Sequence, residues 1–505
     1  MPAHGLVVLL RLCVRFLHVR SHSIYGVLWN NPLQHAPTLA AQLIHFFLYL
    51  SVHKPSHSRL LKQLRTAILD PLANAPTLFP ALLMHITDIE VHAICPPYCD
   101  FNALSLARYH GARIQRRAIL VVHTDNGLEG LGENIGDAPD GDALRAKYIG
   151  TSPFDWINAE QDLAMNMACY DLMGKHLGIP AWKLIGPKIR SWIPVAAWTV
   201  AQAPDAMAEE VRQVAARGYH WIKYHVDEMQ DVIAQTEAMQ EAAPPYFKVH
   251  YDFNANSNYY TMRTILAELV KFRVAGRFED VVQGTDEDAY RMLREQCPLP
   301  IIGHHVPAEA MTKRYVDGTM AGHAPIGSAI KAAAIAERLN MPLMYQQTGG
   351  TINQAFLAHE VAVFKMATID HVNGCHLWQE DIVKDPMPVI DGSVAVPQGP
   401  GLGIELDGAQ LEKLASAAPV DRGRFLVRIR SAGGLTAYVR HDPDPNGSTD
   451  NLRFHDRLHR QGVPGRPPSY ANPLTTEFWD AEKDPEHFEK LWQATADGPL
   501  WKEEH

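Results

Sequence analysis

The sequence predicts an α/β fold in which parallel strands are joined by crossover helices. Two observations carry that expectation. Four short apolar segments follow one another at residues 219–225, 247–254, 277–280 and 300–305, separated by stretches of helical character. Each segment also ends in polar residues: Lys223, Asp252, Glu279 and His305 fall at these ends. In a barrel built from such units, catalytic groups sit at the C-terminal ends of successive strands.

Length and composition set the frame. A chain of 505 residues has room for two or more domains, and 47% hydrophobic with 20% charged residues is ordinary for a globular protein. The net charge of -10 and the lack of a basic stripe argue against a nucleic-acid partner. The cysteines, Cys13, Cys95, Cys99, Cys169, Cys297 and Cys375, are scattered. Two prolines separate Cys95 from Cys99 and no second pair exists, so a zinc site of paired cysteines is not expected and a reduced, cytoplasmic protein is. With 26 histidines in the chain, a single histidine carries little information by its presence alone.

Residues 1–83 form an atypical N-terminal extension. Seven Lys or Arg stand there against one acid, Asp70. The apolar run 6–19 is interrupted by Arg11 and Arg15, and the run 38–52 is shorter than the roughly 20 residues of a membrane span. Neither reads as a cleavable leader. Met84 directly precedes a regular strand pattern, so the expected natural start is Met84, with the upstream stretch untranslated.

A first domain is expected over 84–190. It has a strand at 86–94, a second at 117–124, the turn Asp125-Asn126-Gly127 and a return at 128–133, together a β-hairpin. Residues 96–113 read as a loop carrying Tyr98, Arg108, Tyr109, His110 and Arg113. The helix at 160–177 has Leu163, Met167, Tyr170, Leu172 and Met173 at helical spacing and stops at Gly178-Ile179-Pro180. The barrel is expected over 191–400. It opens with a strand at 193–200 and a helix at 204–217 that ends at Gly218. The four segments above follow, then weaker strands at 319–324, 342–346 and near 371–378, with an Ala-rich helix at 330–339. A strand at 425–430, within 401–431, is expected to rejoin the first domain. Residues 432–505, rich in Pro, Gly, Asp and His, read as an irregular extension with one short helix near 485–494.

Several stretches carry a family resemblance. They are residues 124–133 (TDNGLEGLGE), 168–180 (ACYDLMGKHLGIP) with 184–190 (LIGPKIR), and 391–397 (DGSVAVP) with 399–405 (GPGLGIE). In this order and spacing, residues 84–431 resemble the enolase superfamily, in its mandelate racemase and acid-sugar dehydratase branch. The resemblance implies a modified TIM barrel, (β/α)7β, under an α+β capping domain, with magnesium as cofactor and a small carboxylate as substrate. It further implies a homo-oligomer that needs no membrane or nucleic acid. The implied reaction begins by removing a proton next to a carboxylate, and a cation stabilises the enediolate that results.

Residue by residue, Asp252 and Glu279 match the first two metal positions, and the third falls on His305 where the family has a carboxylate. Imidazole suits zinc, manganese or iron better than magnesium. This leaves open a softer metal (Mn2+ or Zn2+), weak Mg2+ binding, a substitute carboxylate, or a metal-free homologue. On the second strand the family's Lys-x-Lys reads Lys223-Tyr224-His225. Lys223 then orients the substrate and His225 is the general base, a role imidazole can fill. Asn254, Gln346, His304 and Tyr109 are the candidate substrate contacts. The Asp–His dyad of the sixth and seventh strands is replaced by Thr319 and Gln346. The expected function is therefore a metal-dependent hydro-lyase, a dehydratase that converts a hydroxy or sugar acid to a 2-keto acid. A racemase or epimerase of the same superfamily and a non-catalytic carboxylate binder are the alternatives.

Overall fold

Burial of Ile86, Ile89 and Ile94 against an outward row of polar side chains makes the first strand, β1 (Ile86–Ile94). The computed structural model describes residues 84–110, 114–227, 230–440, 474–482 and 484–504. The expectations for residues 1–83 and 441–473 lie outside these described residues, as do the side chains of Tyr109, His110 and Arg113. β2 (Arg117–Thr124) and β3 (Glu129–Ile135) complete an antiparallel sheet of order β1-β2-β3, with the expected hairpin at its end. Where a loop was expected at 96–113, a helix forms, α1 (Ala103–His110). Its Leu106 and Ala107 are buried, and that apolar pair drives the helix into the core. Asp140 caps α2 (Gly141–Tyr148) by accepting from the N–H groups of Asp142 and Ala143.

Helix α3 (Leu163–Leu177) lies flat on this sheet. A Cβ on Gly132 would stand 2.0 Å from the Ala164 carbonyl oxygen, and one on Gly130 2.4 Å from that of Ala168. Only glycine allows so close an approach of strand and helix. α3 stops at Gly178, whose left-handed conformation lets its N–H reach the last carbonyls.

The barrel follows as β4 (Trp192–Val200), α4 (Pro204–Ala216), β5 (Trp221–His225), α5 (Val232–Ala242), β6 (Lys248–Asp252), α6 (Tyr259–Leu269), β7 (Ala275–Glu279), α7 (Glu287–Gln296), β8 (Ile301–Gly303), β9 (Gly318–Gly322), α8 (Ile326–Leu339), β10 (Leu343–Gln347), α9 (Thr351–Val361) and β11 (His371–Asn373). Consecutive strands pair in parallel and β11 pairs with β4, which closes the ring. β12 (Ser393–Ala395) adds antiparallel to β4. Strand alternation sorts the side chains. Tyr224 and Tyr251 point outward and bond Gln235 and Thr236 of α5, whereas Lys223, His250, Asp252, Arg277 and Glu279 point inward. Inside, Arg277 lies 3.9 Å from the centre of the Trp221 ring and donates to Asp370 at 2.9 Å.

The cap is joined to the barrel by buried charge. Arg117 is fully buried, pairs with Glu133 and bonds Asp381 at 3.2 Å. Glu133 also accepts the N–H groups of Gly350, at 2.7 Å, and Asn353, at 3.1 Å, so a cap carboxylate completes the N-terminus of α9. α10 (Gly408–Ala415) returns to the cap, where the Leu414 carbonyl accepts from the Cys95 N–H.

The C-terminal part departs from expectation. β13 (Phe425–Ser431) does not join the cap sheet. It pairs instead with β14 (Leu435–Arg440) and β15 (Leu474–Asp480) in a sheet of order β15-β13-β14-β16, with β16 (Leu500–Glu503). α11 (Pro485–Ala494) covers this sheet, setting Phe488 and Leu491 against Leu426, Tyr438 and Trp479. The described residues within 432–440 and 474–504 thus form strands with alternating apolar side chains buried under a helix, whereas the Pro- and Gly-rich stretches 441–447 and 462–468 lie outside the described residues. Among the described residues, no helix is long and apolar enough to cross a membrane.

Replacing Glu133 by Ala leaves the Arg117 guanidinium buried beside Asp381 alone and uncaps α9. The variant is expected to lose about 3–5 kcal/mol of stability in chemical denaturation. A loss below about 1 kcal/mol would mean that this network does not hold the cap.

Candidate active site

Strand register brings the site together. His225 pairs with Asp252 in the β5–β6 ladder, and Asp252 pairs with Glu279 in the β6–β7 ladder, so three strand ends meet at one level. Lys223 stands one step below and reaches up to them. Its Nζ lies 2.9 Å from Asp252 Oδ2, 2.8 and 2.9 Å from the two oxygens of Glu279, and 3.2 Å from Gln346 Oε1. Burial alone would lower the Lys223 pKa, but the charges of Asp252 and Glu279 outweigh it and raise the value. Lys223 is thus a fixed ammonium and no base at neutral pH.

The carboxylates divide unequally. Burial and the charge of Glu279 push Asp252 well above the usual range. Burial would also raise Glu279, but the Lys223 ammonium and the imidazoles of His250 and His304 close by hold it well below. Arg277 Nε donates to His250 Nδ1 at 3.1 Å, so the imidazole proton sits on Nε2, 2.7 Å from Glu279 Oε2. Burial lowers the His250 pKa to about 3, which keeps the ring neutral.

His225 stands half-buried at the end of β5. Its Nε2 lies 3.3 Å from Asp252 Oδ2 and 3.4 Å from the Trp198 indole nitrogen. Asn254 is buried with φ of +52°; its N–H donates to Asp252 Oδ1 at 2.9 Å. The backbone is left-handed at Asn254, Ala255, Asp280 and His323, all just past barrel strands. Such conformations in non-glycine residues cost free energy and gather at functional sites.

The structure brings together Lys223, His225, Asp252, Asn254, Glu279, Gln346 and His304. The two neighbouring histidines take different carboxylates as partners. His304 Nδ1 approaches Glu279 Oε1 at 3.5 Å, whereas His305 is exposed and faces Asp280 and His304. The position expected of His305 beside Glu279 is therefore occupied by His304. The reason is β8, which ends at Gly303 and pairs Ile302 with Glu279. Thr319 does not stand at the end of the sixth strand either. β9 ends at Gly322, and the next residue, His323, takes that place. His323 Nε2 lies 3.0 Å from Thr348 Oγ1, and burial lowers its pKa to about 4. His250, Asp280 and Thr348 went unrecognised in the sequence. The signal for His250 was its place two residues before Asp252, on the same inward face.

Two groups of side chains here could hold a cation: Asp252, Glu279 and Asp280, and Asp280, His304 and His305, each with one ligand atom apiece within 4.8 Å of the others. Burial and mutual repulsion raise Asp252 and Asp280 beside Glu279, and a divalent cation among these carboxyl groups would relieve that repulsion.

Residues 206–410 match the family model of enolase C-terminal domain-like proteins. Over this stretch the barrel is similar to the enolase superfamily. The D-galactonate dehydratase of Xanthomonas oryzae pv. oryzae (strain PXO99A) is 23% identical over 367 residues, which span 62% of this chain and 94% of that one. The D-gluconate dehydratase of Thermoproteus tenax is 25% identical over 288 residues, 50% of this chain and 55% of that one. Among solved structures, an isomerase from Streptomyces coelicolor A3(2) covers 66% of this chain and 97% of its own, at a TM-score of 0.54 and 24% identity. The N-succinyl Arg/Lys racemase of Bacillus cereus ATCC 14579 covers 66% of this chain and 98% of its own, at a TM-score of 0.55 and 22% identity. These two structures share the enolase-superfamily fold with this barrel.

In a Lys223→Met variant, Asp252 and Glu279 lose their ammonium, and both pKa values move up relative to the unfolded chain. A carboxyl group so raised stabilises the fold only while protonated, and that contribution fades as pH rises through its folded pKa. The melting temperature of the variant is expected to fall more steeply than that of the parent between pH 5 and 8. Parallel profiles would contradict the pairing.

Proposed function

We propose that this barrel is an acid-sugar dehydratase: it removes the proton α to the carboxylate of a hydroxy acid and expels the β-hydroxyl as water, giving a 2-keto acid. The observation that carries the reading is the placement of two imidazoles. His225 ends the second strand of the ring and His323 follows the sixth, so they stand on opposite sides of an eight-stranded mouth with the Lys223 cluster between them. Dehydration needs a base for the C–H bond and a proton for the departing hydroxyl.

In this reading, His225 takes the α-proton, and Asp252 beside it stabilises the imidazolium charge. Lys223 contributes fixed positive charge where the enediolate develops, in a site from which bulk water is largely excluded. Asn254 and Gln346 orient the substrate. The proton that His225 has taken passes to the departing β-hydroxyl, which leaves as water, and the enol left behind tautomerises to the ketone. Asp252, Glu279, Asp280, His304 and His305 are the ligands available to a divalent cation, which when bound supplies Lewis-acid stabilisation of the same charge. The dehydratase names of the Xanthomonas oryzae and Thermoproteus tenax relatives support the substrate class.

The opposed imidazoles also favour a second reading, a racemase or epimerase, which needs a base on each face of the α-carbon. One experiment separates the two. Acid sugars, D-galactonate and D-gluconate among them, are incubated in D2O with Mg2+ or Mn2+, and both 2-keto acid and epimer are followed. The dehydratase reading expects 2-keto acid, with turnover falling about 10²–10⁴-fold in His225→Asn. Epimer with α-deuterium but no keto acid establishes the second reading. Unchanged turnover in His225→Asn contradicts the assignment of the base.

A further inference from the structure

The carboxylates at the ends of β6 and β7 are already engaged by protein donors. Glu279 Oε1 is met by Lys223 at 2.9 Å and His304 at 3.5 Å, and Oε2 by Lys223 at 2.8 Å and His250 at 2.7 Å. Asp252 Oδ1 accepts from Asn254, and Oδ2 faces Lys223 and His225. A cation seated between Asp252 and Glu279 would share its ligand oxygens with an ammonium less than 3 Å from them.

One strand further round the ring the donors are of a different kind. Asp280, His304 and His305 each offer one ligand atom, all within 4.8 Å of one another, and run from buried to exposed toward the mouth. The two imidazoles stack with centroids 4.1 Å apart and planes at 24°. The backbone fixes them in place. Asp280, left-handed at φ +46°, accepts the N–H of His304 at 2.8 Å and that of His305 at 3.2 Å. Two glycines make room for the pair: a Cβ on Gly322 would stand 2.6 Å from His304 Nε2, and one on Gly284 2.1 Å from the His305 carbonyl oxygen.

We propose that the divalent cation of this chain is held by Asp280, His304 and His305, and that Asp252 and Glu279 are left to Lys223. Two imidazoles and one carboxylate form a donor set that prefers Mn2+, Fe2+ or Zn2+ to Mg2+, with positions left open for substrate oxygens. The inference rests on reading this barrel mouth as a metal centre. Its test uses no substrate, so its failure is distinct from failure of the dehydratase reading.

The test is titration of the metal-free full chain with Mn2+ and with Mg2+ by calorimetry, together with pulsed EPR of the Mn2+ form. One equivalent of Mn2+ is expected to bind at least about tenfold more tightly than Mg2+, with 14N couplings from coordinated imidazole. His305→Ala changes an exposed side chain and is expected to weaken Mn2+ by at least about tenfold, with loss of one nitrogen coupling. His304→Asn provides a second variant with the same expectation. Any of four results would overturn the proposal: Mg2+ binding as tight as Mn2+, an EPR signal without nitrogen coupling, affinity lost in Glu279→Gln but kept in His305→Ala, or no bound cation.

Discussion

The ammonium of Lys223, buried among Asp252, Glu279 and Gln346, is the contact on which the barrel mouth depends. Each of these charges would be costly to bury alone. Together they are tolerable only at hydrogen-bonding distances, so the strand ends of β5, β6, β7 and β10 are tied to one point. Closure of the ring by β11 and β4 and the register that levels His225, Asp252 and Glu279 are consistent with that requirement. The neutral His250 beneath Glu279, fixed in its tautomer by Arg277, extends the network downward onto the Trp221 ring.

A second constraint acts from outside the barrel. The cap reaches the barrel through Glu133, which pairs with Arg117 and completes the N-terminus of α9. α9 follows β10, the strand that brings Gln346 to Lys223. The same strand–helix unit therefore bears both the cap contact and a wall of the site. Left-handed turns after β6, β7 and β9 place Asn254, Asp280 and His323 around the mouth, at a cost in backbone strain that regular strands avoid.

Much of this was legible in the sequence, and the exceptions have physical reasons. Asp252 and Glu279 close apolar runs of clear period, so their level in the ring follows from counting. The fifth strand is only three residues long, and counting from its start does not reveal that Asp280 draws the following turn back toward β7. That turn decides which of His304 and His305 meets Glu279. The sixth strand was expected to run through His323. It stops at Gly322, and a left-handed residue after it moves the imidazole onto the rim. The C-terminal sheet was hidden because β13 takes β15 as a partner from far along the chain, a pairing that local pattern cannot indicate.

The central claim is that Lys223 and the two carboxylates form one energetic unit. A double-mutant cycle on stability, with Lys223→Met, Glu279→Gln and their combination, tests it most directly. The account predicts that each single variant is destabilised by about 3–5 kcal/mol and that the double variant recovers much of the loss, because neither partner is then left as an unpaired buried charge. Additive losses in the double variant would contradict it.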